Sequence, residues 1–534
     1  MKTVLFALNG SYSHTSLAVR AIGASLQKHG VETVIIEKNL SDTHHAVLHE
    51  LYLTDADVYG FSAYIWNITE MLRFAAELRE IRPRAVIVFG GPEVSFMDES
   101  FFTLHPYIDH IIAGEGEDAF PQFCVKLARG ETPPKITMAM PFADFCESGI
   151  YYGEIGAEPH GLVYYESVRG CPFSCAYCLS SRGDGIRAKT AEKALADLLA
   201  FEQFDDIRTV KLVDRTFNFD RERAKTIWRA LLGEKYTNEY HFEVSAALLD
   251  EESFRILEAA PKGKFRLEIG VQSTNPETIR AVARALDTEK TLAALKRLSK
   301  KGNLHVHADL IAGLPHEDYE SFGRSFDDVY GACDVLQLGF LKLLHGSAMR
   351  RDAAKYGIRF SPVPPYQVLR TDVLSFEDIM RLEAIDALND RFSGSGKFAN
   401  TFPFLPLESG SAFQFFEGLS AFLAERFHCK EIKRLPQTEA FRLVYEYAVS
   451  VGLPEKETRE RLALDFLLGE TRRLPPFLHT ETVGSEERGQ VLSEVHPSVR
   501  SACEVVRFGF LSEHPAVIDR VRKTVTIMDN FSVR

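Results

Sequence analysis

No stretch of this 534-residue chain approaches the roughly 20 consecutive apolar residues that a membrane-spanning helix needs, so no span is expected. The opening Met1-Lys-Thr-Val-Leu-Phe-Ala-Leu8 is too short for the core of a secretory signal and turns polar at Asn9-Gly10-Ser11. Cysteine is sparse: of 8 in all, Cys124, Cys146, Cys333, Cys429 and Cys503 are scattered, which excludes a disulfide scaffold and predicts a cytoplasmic protein. An excess of positive charge is also missing. With 62 Lys and Arg against 75 Asp and Glu the net charge is −13, so no basic face is available to neutralise phosphates, which argues against nucleic acid as a partner. Internal repeats and low-complexity segments are absent too. The remaining composition, 45% hydrophobic and 26% charged, is that of a globular protein, and the length predicts about three domains.

The three cysteines that are not scattered stand in Arg169-Gly-Cys171-Pro-Phe-Ser-Cys175-Ala-Tyr177-Cys178. Thiolates at C-x3-C-x2-C spacing can each ligate one iron of a 4Fe–4S cluster and leave the fourth iron open to a small molecule. A structural zinc would call for a fourth Cys or His, and none stands at the usual spacing after Cys178. A disulfide would leave one of the three unpaired.

Hydrophobic periodicity divides the chain into three regions: 1–145, 155–370 and 371–534. Strands are predicted at Thr3–Leu8, Glu32–Ile36, Val58–Ala63, Ala85–Phe89 and His110–Ala113, with helices at Ser16–Lys28 and Thr69–Ile81 between them. This alternation predicts an α/β, doubly wound parallel sheet whose ligands bind at the carboxyl ends of the strands. After a connector rich in Pro, Phe and Gly, a second βα series runs from Leu162 to about Gly346. Its strand ends (Asp214, Phe242–Ser245, Leu267–Gln272, His307–Ile311, Val335–Gly339) predict a partial or full (βα) barrel with its site at the strand C-termini. Amphipathic text such as Thr438–Ser450 and Lys456–Leu468 then predicts a helical C-terminal domain, with Phe413–Phe416 and Tyr445–Tyr447 as core. Cys429 and Cys503, 74 residues apart, are expected to be buried structural cysteines and not ligands of an auxiliary cluster.

The cysteine loop, with an aromatic before its last cysteine, resembles that of the radical S-adenosylmethionine (SAM) enzymes. The resemblance continues through Asp214-Arg-Thr-Phe217-Asn218, Glu268-Ile-Gly-Val-Gln272-Ser273 and Asp309-Leu-Ile-Ala-Gly313-Leu-Pro315, in order along the chain. It implies that Cys171, Cys175 and Cys178 hold the cluster and that Tyr177 lies against the adenine of SAM. It further implies that Glu243 and Ser245 serve the ribose, with Asp214, Glu268 and Gln272 as candidates for other polar contacts. Any of these residues could instead only cap a strand. His305 and His307, two apart on one strand face, could point into the barrel near substrate, although packed, hydrogen-bonded histidines are the commoner case. His316 and His345, after strand-end turns, leave the same two readings open.

The N-terminal pieces Asp57-Val-Tyr-Gly-Phe-Ser62-Ala-Tyr64, Val88-Phe-Gly90-Gly91-Pro-Glu93 and Ile112-Ala-Gly114-Glu115-Gly116-Glu117 resemble the cobalamin-binding domain of the cobalamin-dependent radical SAM family. The candidate cobalamin contacts are Ser11, Ser62, Tyr64, Trp66, Gly90, Gly91, Glu93, Gly114, Glu115 and Gly116. The Asp-x-His-x-x-Gly motif of cobalamin mutases is not intact: Asp42-Thr-His44-His45-Ala-Val47 puts Val where Gly belongs and follows the second strand. His44 and His45 are therefore expected to form a solvated loop without ligating cobalt, and the lower cobalt face is expected to meet the Tyr64–Asn67 loop.

The resemblance implies an enzyme with three cofactors: a 4Fe–4S cluster, SAM and cobalamin. Reductive cleavage of SAM would give a 5′-deoxyadenosyl radical, and methylcobalamin would then methylate an unactivated carbon. The same two sites would equally serve a non-methylating cyclase or rearrangement enzyme. A transfer-RNA methylthiotransferase would need a second cysteine triad, where only Cys124 and Cys146 precede the barrel. A cobalamin carrier would leave the cysteine loop unexplained. The expected partners are a small-molecule or peptide substrate and an external one-electron reductant of flavodoxin or ferredoxin type.

Overall fold

The computed structural model describes the whole chain apart from residues 153–160, 181–184, 285–286, 427–433, 471–472, 498, 513 and 529–534. Cys429 thus lies outside the described residues. The rest forms two compact units, one of residues 1–317 and 340–373, the other of residues 318–339 and 374–534.

In the first unit, strands β1 (Lys2–Asn9), β2 (Glu32–Asn39), β3 (Val58–Ser62), β4 (Val86–Gly90), β5 (His110–Ala113) and β6 (Ile136–Met138) form one sheet in the order β2-β1-β3-β4-β5-β6. Every pairing in it is parallel. Both faces are apolar, because successive side chains point to opposite sides. Val4, Phe6, Tyr59, Phe61, Ile87, Phe89 and Ile111 pack into one core, while Leu5, Ala7, Val58, Val88 and Ile112 pack into the other. The order reverses between β1 and β3, which opens a crevice at the carboxyl ends of these two strands.

The second sheet of this unit contains parallel strands β7 (Gly161–Tyr165), β10 (Ile207–Leu212), β11 (Glu239–Glu243), β12 (Phe265–Gln272) and β13 (His305–Ala312), paired in that order as an open, partial barrel. Its helices begin at strong N-caps. The carboxylates of Asp220, Asp250 and Asp287 each accept the N–H of the third residue onward, worth about 1 kcal/mol apiece. Here only one face is apolar. Along β12, Phe265, Leu267, Ile269 and Val271 are buried among helices, and the alternate residues Arg266, Glu268 and Gly270 line the interior. Between β7 and β10, β8 (Val168–Arg169) and β9 (Arg187–Ala188) pair antiparallel and pinch the base of the cysteine loop.

The second unit is mainly helical, including Gln437–Ser450 and Glu455–Gly469, and Phe413, Phe416 and Phe441 are buried in its core. A four-stranded antiparallel sheet that the periodicity did not announce closes its C-terminal part (Glu481–Thr482, Cys503–Arg507, Ala516–Asp519, Thr524–Ile527). Glu481–Thr482 and Thr524–Ile527 carry no apolar run, unlike the equally short but continuously apolar strands of the first sheet. Cys503 is buried there.

Candidate cofactor sites

The cysteine loop is positioned from below by a buried carboxylate. Asp214, fully shielded from solvent, accepts the backbone N–H of Ser167 at 2.7 Å and of Val168 at 2.9 Å, as well as the Ser167 hydroxyl. These residues lead directly into β8. At the root of the loop, Arg169 is held by Glu115 (2.7 Å), Glu117 (2.5 Å) and Glu166 (2.9 Å), and Arg187 also bonds Glu115. Gly170, at φ +92°, passes so close to Gly185 that a Cβ would lie 2.4 Å from its carbonyl oxygen. The three thiols are free: Cys171 lies 3.4 Å from the Thr216 hydroxyl oxygen, Cys175 accepts from Arg284 at 3.7 Å, and Cys178 accepts from Ser180 N–H at 3.4 Å. Arg284 also donates to the Tyr177 hydroxyl at 3.2 Å.

The donor set fits an iron–sulfur cluster better than a single ion. Among the described residues, no group of three His, Cys, Asp or Glu side chains converges as a site for one metal. A cubane takes each thiolate at a different corner, so the sulfurs need not meet at a point, and three thiolates leave one iron without a protein ligand.

The interior face of the partial barrel is built from ionisable groups. Glu268 lies 3.1 Å from both Lys211 and His241, and although burial opposes it, these partners hold its carboxyl down to about 2. Burial pushes Glu243 up to about 7 against the pull of Arg215, whose guanidinium is 3.6 Å away. Asp309 is also pushed up to about 7, by burial and by the charges of Glu268 and Glu243. Gln272, nearly buried, takes φ +75°, a conformation that costs a non-glycine residue about 1 kcal/mol and is kept where something over-determines it. Ser245 is fixed through its backbone by a reciprocal pair of 2.9 Å bonds with the Asn218 side chain.

At the strand ends of the first sheet, Asn67 organises the loop after β3. It is buried, accepts Tyr64 N–H at 2.8 Å and donates to the Leu8 and Ser62 carbonyls at 3.0 Å. The loop presents Tyr64 and Trp66 stacked at 4.4 Å, with Trp66 53% exposed, a flat aromatic surface left open at the carboxyl end of the sheet. Gly91, at φ +109°, comes so close to Ala63 that a Cβ would lie 2.4 Å from its carbonyl oxygen. Such a surface of ring faces and bare backbone fits a planar macrocycle. His44 is elsewhere: it opens a helix, bonds Glu77 at 2.6 Å and stacks on Phe74 at 4.1 Å.

Comparison with known proteins accords with this geometry. Residues 4–124 match the B12 binding domain, residues 165–329 the Radical SAM superfamily, and residues 354–500 a protein of unknown function (DUF4080). The chain joins a B12-binding domain to a radical SAM domain, the make-up of the cobalamin-dependent radical SAM family. It is 26% identical over 311 residues to the 2-(S-pantetheinyl)-carbapenam-3-carboxylate methyltransferase of Streptantibioticus cattleyicolor, covering 51% of this chain and 44% of that protein. It is 25% identical over 363 residues to the cobalamin-dependent radical SAM methyltransferase TokK of Streptomyces tokunonensis, covering 59% and 51%. The chain thus spans about half the length of these relatives. In fold it is similar to the cobalamin-dependent S-adenosylmethionine radical enzyme OxsB with aqua-cobalamin and S-adenosylmethionine bound (TM-score 0.57, 15% identity, 86% of this chain and 78% of that one). It is also similar to the radical S-adenosylmethionine methyltransferase TsrM of Kitasatospora setae with cobalamin and a [4Fe-4S] cluster bound (TM-score 0.55, 15% identity, 68% and 78%). No helix among the described residues is long and apolar enough to cross a membrane.

The residues singled out by sequence fall into two groups. Cys171, Cys175, Cys178 and Tyr177 share one loop, and Glu243, Ser245, Glu268 and Gln272 lie at the ends or on the interior of β11 and β12. By contrast, Asp214, Glu93 and Glu115 are committed to protein partners: Ser167 and Val168, Tyr366, and Arg169 with Arg187. Ser11 bonds Ser13 at 3.1 Å in the loop after β1, Ser62 and Gly90 end β3 and β4, and Gly114 and Gly116 flank the Glu115 cap of the helix after β5. Sequence reasoning missed Arg284, Lys211 and the arginines of the loop base. Lys211 and Glu268 are 57 positions apart in sequence, and nothing short of the strand pairing brings them together.

Proposed function

We propose that this chain is a cobalamin-dependent radical SAM methyltransferase that methylates an unactivated carbon of a small-molecule or peptide substrate, drawing electrons from an external one-electron donor. When bound, the cluster and SAM supply a 5′-deoxyadenosyl radical and cobalamin supplies a methyl carrier. The observation that carries the proposal is the coexistence, in one unit, of a pinned loop with three free thiols and a sheet edge with an open aromatic face.

The remaining roles belong to the chain. Cys171, Cys175 and Cys178 hold the cluster, while Asp214 and Arg169 act on them indirectly by fixing the strand and ribbon that carry the loop. Tyr177, Glu243, Ser245 and Gln272 line the SAM side. Glu268 is already paired with Lys211 and lies beside His241, so Glu243 and Asp309 are the interior carboxyls able to hold or release a proton near neutrality. Ser11, Ser62, Tyr64, Trp66, Gly90, Gly91 and Gly114 form the cobalamin side, with Trp66 facing the corrin. Glu93, Glu115 and Gly116 shape its loops.

The test is anaerobic incubation of reconstituted protein with SAM carrying a deuterated methyl group, a strong reductant and hydroxocobalamin. Mass spectrometry should find S-adenosylhomocysteine and the labelled methyl on cobalamin. Deoxyadenosine without S-adenosylhomocysteine would reject methyl transfer and leave a non-methylating radical enzyme.

A further inference from the structure

Residues 340–373 of the first unit have no part in the roles above, and residues 354–373 fall in the matched family of unknown function. We infer that this segment is a strap that fixes the Gly90–Glu93 loop on the cobalamin side, with Tyr366 as its positioning residue. The inference rests on the cobalamin reading of that loop.

The hydroxyl of Tyr366 donates to Glu93 Oε1 at 2.6 Å, and both side chains are buried, 273 positions apart in sequence. A buried carboxyl without a partner would be costly, and burial alone pushes Glu93 up; the Tyr366 bond and the charge of Arg350 pull against it. Tyr366 makes this bond from φ +55°, a left-handed conformation that a tyrosine keeps only when its surroundings impose it. The surroundings do. Its N–H donates to the Val363 carbonyl at 2.9 Å, and its carbonyl accepts Leu343 N–H at 3.0 Å. The Arg350 guanidinium lies 4.8 Å over its ring and His345 meets the ring edge-on at 5.0 Å.

A second contact reaches the same loop. Gly346, at φ +83°, leaves room for the Phe96 ring, which a Cβ there would approach to 2.6 Å. The strap also grips the cysteine loop, for Met349 N–H donates at 2.8 Å to the carbonyl of Ala176, between Cys175 and Tyr177. One short segment therefore touches both candidate cofactor loops. Packing alone would be served by phenylalanine at position 366; the hydroxyl adds only the bond to Glu93.

The full-length protein with reconstituted cluster provides the test. Tyr366→Phe is compared with wild type and with Glu93→Gln, which keeps an acceptor oxygen for Tyr366. Hydrogen exchange of the amides over residues 90–97 is read in cobalamin-free protein, and affinity for hydroxocobalamin is read separately. The strap predicts about tenfold faster exchange over 90–97 in Tyr366→Phe, the loss of one buried hydrogen bond, and a comparable drop in affinity. Iron content should be unchanged, and Glu93→Gln should fall closer to wild type. Unchanged exchange in Tyr366→Phe would overturn the strap, and faster exchange with wild-type affinity would overturn its positioning role. If Tyr366→Phe does not fold, Glu93→Ala cuts the same bond and is read in the same way. Failure of wild type to retain hydroxocobalamin, with exchange still faster in the variant, would reject the cobalamin reading and leave the strap standing.

Discussion

The two parallel sheets of the first unit are built from the same alternation of strand and helix, yet they carry chemistry in different places. The N-terminal sheet is apolar on both faces, so its chemistry is confined to the loops at its carboxyl ends. The second sheet is apolar on one face only, and its other face presents Lys211, His241, Glu243, Glu268, His307 and Asp309. Ionisable groups are not placed along the inside of a sheet for stability, because their desolvation costs more than an apolar replacement would. The difference teaches that a polar interior marks a reaction chamber, while a doubly apolar sheet with open strand ends marks a platform for a large ligand.

The largest effect should come at the chamber. Cys175→Ala should abolish cluster incorporation while the N-terminal sheet still retains hydroxocobalamin. Iron and sulfide content beside cobalamin content would check it, and joint loss of both would show that the two sheets are not separable sites.

The seam between them should come next. Arg169→Met leaves the Glu115, Glu117 and Glu166 carboxylates without their shared cation and should cost about 3 kcal/mol, read by chemical denaturation. A cost below about 0.5 kcal/mol would mean that the cluster of charges is solvated and fixes nothing.

The chamber should also give a pH signature that the platform lacks. Glu243 and Asp309 titrate higher in the folded chain, about 7, than in the unfolded one, about 4. Their contribution is therefore fully present below about pH 4 and is lost as pH rises through 7, to a total of a few kcal/mol. Glu268 runs the other way: its depressed carboxyl stabilises above about pH 4.5 and is lost as pH falls toward 2. His307 and His345, pushed down by burial to about 3 and about 4, gain stability over the same interval, so the signature is read by denaturation as a difference. Between pH 5 and pH 8 the stability of wild type relative to Glu243→Gln with Asp309→Asn should fall. An unchanged slope in the double variant would place the titration elsewhere.

The smallest effect belongs to the platform. Trp66→Ala removes an exposed ring, so folding stability should move by no more than about 0.5 kcal/mol. Cobalamin affinity should fall about tenfold, the worth of one aromatic contact face. A stability loss without an affinity change would make Trp66 a packing residue.

Much of this was legible in the sequence, for reasons that differ by element. Hydrophobic runs and periodicity marked five of the six strands of the N-terminal sheet to within a few residues, because parallel strands buried on both faces leave a continuous apolar trace. The three-residue edge strand β6 (Ile136–Met138) lay in the stretch read as a connector and was missed. The cysteine loop was legible because three ligands of one cluster must stand close together in the chain. The roles of acidic residues were not. Asp214, Glu93 and Glu115 stand just after strand ends, the latter two beside glycines, where a ligand contact and a structural clamp look alike, and only their distant partners Ser167, Tyr366 and Arg187 separate the two. Arg284 carries no local signal, since its contacts with Cys175 and Tyr177 span more than a hundred positions.

The central claim is that the loop of three thiols and the charged chamber together cleave SAM. Anaerobically reconstituted wild type, given SAM and a strong reductant, should release 5′-deoxyadenosine in amounts exceeding the protein, and Cys175→Ala should release none. Equal amounts from both proteins, or none from a wild type with its full complement of iron, would contradict the account.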